Sequence, residues 1–149
     1  MTSTAMTSEE RQAFLARPWI AVISIPEAGR GPLTVPVWYL YEPGGEIRIW
    51  TGRESRKGRL LQAAQRMSVC VQEPNPPYKY VSVEGPIHIE PVNFERDVRP
   101  MALRYFGEQR GEDYLASIGG SAGVVDDILV CLKPERWLTV DYSKLGYPL

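Results

Sequence analysis

Two cysteines and one histidine are all that a chain of 149 residues contains. Cys70 and Cys131 cannot build a disulfide framework, and they lack the spacing of a metal-ligand pair. The lone imidazole, His88, excludes His-rich zinc or iron sites and any mechanism that needs two imidazoles. No metal site is expected. Long hydrophobic runs are missing too: stretches such as residues 19–25 fall far short of the roughly 20 apolar residues that a spanning helix needs. The Thr- and Ser-rich start has neither the basic nor the apolar segment of a secretion signal. A cytoplasmic protein with no membrane partner is the expectation.

Charge of one sign is also lacking. With 17 basic and 18 acidic residues the chain carries -1, whereas a general nucleic-acid binder has a strongly basic domain. No nucleic-acid partner is expected. What is present is the composition of an ordinary globular protein, 44% hydrophobic and 23% charged. At this length one domain over residues 1–149 suffices, with residues 1–17 as an N-terminal helical arm.

Thr7 and Glu10 have capping-box spacing ahead of Ala13, Phe14 and Leu15, and Pro18 ends that helix. Val, Ile, Trp, Tyr and Thr then dominate residues 19–25, 33–41 and 47–51, with Pro/Gly turns between them. Connections this short predict antiparallel neighbours. Ser55 caps a helix to about residue 66, in which Leu60, Leu61, Ala64 and Met67 recur at helical spacing. Strands follow at residues 68–72 and 78–90. Asn93 opens a helix through Phe106 that Pro100 should kink or divide. A short amphipathic piece at 112–118, a glycine-rich loop at 119–123 and strands at 127–133 and 136–142 complete the chain. Six or seven strands with few helices predict a mainly β fold of antiparallel strands, a small closed barrel in preference to a sandwich, because a long helix between the third and fourth strands is unusual in sandwiches.

The most informative stretch is residues 48–66. It holds six cations (Arg48, Arg53, Arg56, Lys57, Arg59 and Arg66) against the single acid Glu54. Four of them surround a helix start, where the macrodipole is already positive and acids are favoured. A bound anion resolves that conflict. Backbone N–H groups, the Ser55 hydroxyl and the side chains of Arg53, Arg56 and Lys57 make a phosphate or carboxylate site; the alternative is a solvated cationic face. The Gly52 to Gly58 interval lacks the spacing of a Walker loop.

The order Leu33-Thr34-Val35-Pro36-Val37-Trp38-Tyr39, Pro43-Gly44-Gly45, Ile47-Arg48-Ile49-Trp50-Thr51, Ser55-Arg56-Lys57, Met67-Ser68-Val69-Cys70-Val71 and Val83-Glu84-Gly85-Pro86 resembles the split-barrel flavin and deazaflavin oxidoreductases related to pyridoxamine phosphate oxidase. The resemblance covers about residues 14–90 and the closing strand with Arg136-Trp137. It implies an antiparallel Greek-key FMN-binding split barrel that pairs as a homodimer, with the cofactor in a groove at the interface. By the same resemblance the backbone of Val35, Pro36 and Val37 lies along the flavin ring with Trp38 and Trp50 nearby. Thr51, Ser55, Arg56 and Lys57 match the family's phosphate-binding element.

The family's terminal Arg-Leu substrate motif is missing; the chain reads Pro134-Glu135-Arg136-Trp137-Leu138-Thr139-Val140-Asp141 instead. That points away from vitamin oxidation and toward the reductases that use deazaflavin coenzyme F420, whose oligoglutamate tail suits surplus cations. The implied activity is hydride transfer to a small unsaturated or quinone-like acceptor. FMN is the alternative cofactor, and a non-catalytic flavin carrier the alternative role. Tyr78 and Tyr80, with Trp38, Trp50 and Tyr114, are candidates for the acceptor pocket, though core or interface packing explains such aromatics equally well. Cys70 and Cys131 read as packed thiols, and neither His88 nor Glu84 receives a role.

Overall fold

The computed structural model describes residues 3–146; the extreme ends of the 1–149 domain, including the first two residues of the 1–17 arm, lie outside them. Seven strands form one antiparallel sheet: β1 (Ala21–Ile25), β2 (Leu33–Val37), β3 (Ile47–Thr51), β4 (Arg66–Gln72), β5 (Lys79–Pro91), β6 (Ile128–Leu132) and β7 (Arg136–Asp141). The order is β2-β1-β4-β5-β6-β3, and β7 pairs with β5. The sheet curls into a split barrel, and four short helices accompany it: α1 (Ser8–Leu15), α2 (Arg56–Ala63), α3 (Arg99–Phe106) and α4 (Glu108–Ser117). Among the described residues no helix is long and apolar enough to cross a membrane.

Strict alternation builds the barrel, because side chains along a strand point to opposite faces in turn. Ala21, Ile23 and Ile25 of β1 and Met67, Val69 and Val71 of β4 face inward and are buried. The 13-residue β5 serves both halves: residues 80–86 pair with β4, 79–84 with β7, and 87–91 with β6. The change of partner falls beside Gly85, where a Cβ would come within 1.8 Å of the Lys133 carbonyl oxygen, so glycine alone allows β5 and the β6–β7 connection to pass this closely.

The expected neighbour relation holds for β1 and β2, which pair from Ala21–Val37 to Ile25–Leu33. It does not hold for β2 and β3. The extended stretch expected to run to residue 41 breaks after Val37, and β3 pairs with β6 instead. The Tyr39 N–H is taken by the Tyr105 hydroxyl of α3 at 3.2 Å, so it is lost to any strand ladder. Only the Leu40–Arg48 bridge remains between the two, and it joins the ends of the sheet order.

The helix expected from Asn93 is also divided, though ahead of Pro100. Asn93 does cap it, accepting the Arg96 N–H at 2.8 Å, but Phe94–Val98 is a π-helical turn and α3 begins only at Arg99. Pro100 has no N–H for the preceding turn and its ring crowds that turn's carbonyl. A second apolar cluster of Val98, Ala102, Leu115 and Val124 packs there against Trp50 and Tyr114. α4 begins four residues earlier than the amphipathic piece read at 112–118, and the loop expected at 119–123 winds into a 3-10 turn at Gly120–Val124.

α1 closes over the barrel through Phe14 and Leu15. Its capping box is complete: the Thr7 N–H donates to Glu10 Oε1 at 2.8 Å, and the Glu10 N–H to Thr7 Oγ1 at 3.1 Å. Lys144 adds a contact at 2.7 Å, and with Thr7 it holds the Glu10 carboxyl at about 2, below its ordinary 4.5. A depressed carboxylate pKa contributes stability that is complete above the ordinary value and is lost as pH falls through the folded one. Glu10→Gln is therefore expected to lower the melting temperature by a constant amount above about pH 4.5 and to flatten its dependence on pH between about 4.5 and about 2, where the two proteins converge. Thermal melts of both proteins across that range check it.

Candidate functional site

β2, β3, α2, α3 and α4, with the residues just before β1 and β6, surround a cleft of about 520 Å³, lined by Ile20, Pro36, Val37, Trp38, Trp50, Thr51, Gly52, Lys57, Met101, Tyr114 and Asp127. Pro36, Val37 and Trp38 arrive as the chain leaves β2, and Trp50 and Thr51 end β3. Trp38 is fixed by aromatic packing, stacked on Tyr105 with ring centres 5.1 Å apart and edge-on to Tyr114 at 5.6 Å. The Trp50 indole N–H donates to Asp127 Oδ2 at 2.8 Å. Flat aromatic walls of this kind suit a planar heteroaromatic ring.

The polar end is the start of α2. Ser55 is its N-cap: its Oγ accepts the Gly58 N–H at 2.9 Å and donates to the Gly52 carbonyl at 2.8 Å, with Thr51 Oγ1 a further 3.4 Å away. The Arg56 and Lys57 N–H groups have no intrahelical acceptor, as at any helix start. Lys57 is half-buried in the cleft wall, and burial pushes its pKa down. Among the described residues no carboxylate lies within ion-pair distance of it. A cation left like this beside free N–H groups at a positive helix end is an anion receptor.

The six cations of residues 48–66 prove unequal. Arg48 faces Asp97 at 3.7 Å, Arg56 pairs with Glu27 at 2.8 Å, Arg59 with Glu54 at 3.2 Å and Arg66 with Glu135 at 2.9 Å. Among the described residues Arg53 bonds only to neutral groups, the Asp126 carbonyl and Gln62. The charge surplus read from the sequence thus reduces to Lys57 and Arg53.

Of the residues singled out from sequence, Pro36, Val37, Trp38, Trp50, Thr51 and Lys57 share the cleft, and Ser55 supports its floor. The Val35 side chain points into the barrel core. Arg53 and Arg56 flank the helix start and do not line the cleft. Tyr78 just precedes β5 and Tyr80 is its second residue, both outside the lining; Tyr114 is within it. Ile20, Gly52, Met101 and Asp127 line the cleft without having been singled out. Nothing local marks them, since three of the four come from other parts of the chain than the cation-rich stretch. Gly52 alone carried a signal, as the turn between a strand and a capped helix.

Residues 7–141 match the family model described as pyridoxamine 5'-phosphate oxidase. Among solved structures, a conserved hypothetical protein from Mycobacterium tuberculosis is similar, with TM-score 0.81, 22% identity, and coverage of 100% of this chain and 93% of that one. An F420 reductase matches with TM-score 0.67 and 19% identity over 85% of this chain and 94% of that one. An FAD-binding protein from Mesorhizobium loti matches with TM-score 0.60 and 16% identity over 90% and 92%. At these identities the likeness establishes the fold. No curated protein matches the sequence significantly.

Proposed function

Since the chain belongs to the pyridoxamine 5'-phosphate oxidase family, a group of flavin-related oxidoreductases, we propose that it binds deazaflavin coenzyme F420 in the aromatic cleft and transfers a hydride to a small unsaturated or quinone-like acceptor. The observation that carries this reading is Lys57, a half-buried cation without a carboxylate, set between a helix start and an aromatic-walled cleft. Those groups fit a cofactor with a planar ring at one end and an anion at the other.

The bound cofactor supplies the hydride; the protein supplies position, dry walls and charge. Trp38 and Trp50 hold the ring plane. Lys57 and the Arg56 and Lys57 N–H groups hold the anionic side chain above the cap that Ser55 makes, and Arg53 lies beside them for a carboxylate tail. Ile20, Val37 and Met101 exclude water from the reacting face. Asp127, anchored by the Trp50 indole N–H, keeps its Oδ1 free of donors among the described residues and offers the cleft a hydrogen-bond acceptor.

FMN is the second reading, and a specific observation favours it: two uncommitted cations match the charge of one phosphate monoester, about -1.5 to -2 at neutral pH. Titrating the purified protein with each cofactor while following Trp emission separates the two. F420 is expected to quench Trp38 and Trp50 at micromolar concentration, and its reduced form to be oxidised by members of a quinone and enone panel. Preference for FMN supports the second reading, binding without turnover makes the protein a carrier, and failure to bind either sinks the proposal.

A homodimer accompanies this function. The outward row Pro36, Val22, Cys70, Ser82 and Leu138 runs across β2, β1, β4, β5 and β7 without a charge. Val22 and Leu138 are 41% and 62% exposed there. Ile20 and Pro36 belong both to this side of the sheet and to the cleft lining, so a second copy on it would wall the cleft. Tyr78 and Tyr80 lie along the same side and enter the function as interface residues. Leu138→Glu combined with Val22→Glu is expected to give a monomer in sedimentation analysis with weakened cofactor binding; an intact dimer would place the interface elsewhere.

A further inference from the structure

On the outer side of β3, β6 and β5, away from the cofactor cleft, the register places Cys131 directly opposite His88 on one side and Arg48 on the other. Glu46, just ahead of β3, comes down on the same group. His88 Nδ1 is 3.4 Å from Glu46 Oε2, and Nε2 is 2.9 Å from Glu90 Oε2. Cys131 Sγ lies 3.5 Å from that same Glu90 oxygen. One ligand atom each from Glu46, His88 and Cys131 falls within 4.8 Å of the others.

We propose that Glu46, His88 through Nδ1, and Cys131 form a binding site for a thiophilic divalent cation of the zinc class. Metal–nitrogen and metal–sulfur bonds of about 2.0 and 2.3 Å set tetrahedral ligands roughly 3.5 Å apart. The site therefore needs a contraction of about 1 Å, and it falls on Glu46 and His88, whose side chains are 39% and 51% exposed. Cys131 is the fixed wall at 1% exposure.

Glu90 has a separate task. By accepting the Nε2–H it leaves the Nδ1 lone pair on the side of Glu46, 3.4 Å away, the carboxylate–histidine–metal arrangement that fixes ring and tautomer. The neighbouring cations are already engaged: Asp97 takes Arg48 at 3.7 Å and Arg96 at 2.8 Å. On binding, the metal replaces the Cys131 S–H proton, which leaves to solvent. A thiolate and an imidazole select zinc, cobalt or copper(I) over magnesium and calcium. The fourth position stays open to water.

Cobalt(II) tests the site by its spectrum. Added to the metal-free full-length protein, it is expected to give a near-ultraviolet thiolate charge-transfer band and the visible bands of a four-coordinate ion, both abolished by stoichiometric zinc. Cys131→Ser should remove the charge-transfer band. Glu90→Gln should weaken cobalt binding by about 10- to 100-fold, and His88→Gln by more. Because His88 is half exposed, that variant remains a test even where the buried serine perturbs folding; circular dichroism monitors both. Absence of a charge-transfer band in the folded wild-type protein overturns the proposal, as does a band of equal strength in His88→Gln.

Discussion

Lys57→Ala is expected to weaken cofactor binding by about 1.5–3 kcal/mol, roughly 10- to 150-fold in Kd, the range for a hydrogen bond to a charged group in a partly desolvated site. Arg56→Ala is expected to cost much less, although Arg56 precedes Lys57 in the same helix turn. Its guanidinium is half exposed and already pairs with Glu27 at 2.8 Å, and a pair of that kind contributes only about 0–1 kcal/mol. Lys57 has no such partner, and burial holds its pKa down. An incoming anion favours the charged form, so binding takes up protons once pH exceeds the lowered value. Affinity should accordingly fall as pH rises through that value in the wild type and lose this dependence in Lys57→Ala. Fluorescence titrations at several pH values measure both effects; equal losses for the two variants would move the anion site toward Arg56.

The contrast between these neighbours shows where the sequence was legible. Ser55 could be read as a cap because capping depends on residues three apart, and the cap forms as expected. The alternation in β1 and β4 could be read for the same reason, since burial follows position along one strand. Charge pairing depends on residues distant in the chain. Glu27 and Glu135 lie far from Arg56 and Arg66, and only the folded sheet brings them together. The surplus of six cations over one acid was therefore real in sequence and mostly neutralised in space.

The same limit explains β3, whose partner β6 lies about eighty residues away. The short connection after β2 suggested a nearer partner, and Tyr105 intervened. Asp127 and Met101 reach the cleft by the same long-range closure. Trp38 and Trp50 were singled out through the family resemblance; periodicity alone gave core packing equal weight. His88 and Cys131 looked unrelated in sequence and become direct neighbours through the β5–β6 register.

Gly58→Ala is expected to lose stability and binding together, although alanine favours a helix over glycine by about 1 kcal/mol. Gly58 is the third residue of α2, and its N–H is the one that Ser55 caps. A Cβ there would sit 2.1 Å from the Gly52 carbonyl oxygen and 3.0 Å from that of Arg53. Both obstacles are backbone, so no side-chain rotation relieves them. The helix start must lift off the turn below it, and overpacking of this severity costs about 3 kcal/mol, a fall of roughly 6–12 °C in Tm for a chain of this size. The lifted helix start carries Lys57 away from Thr51 and Gly52, which line the cleft with it, so cofactor affinity should fall at least as far as in Lys57→Ala even where the variant remains folded. Gly31→Ala is the control: it has an ordinary backbone conformation with nothing within 4 Å of the new Cβ, and a change within about 0.5 kcal/mol is expected. Lys57→Ala, by contrast, should melt at or slightly above the wild-type temperature, because it removes a partly buried cation that has no partner. Melting curves and titrations on these three variants then separate the charge that holds the anion from the close approach that places it; an unchanged Tm in Gly58→Ala would mean that the turn and the helix are not in the contact that positions Lys57.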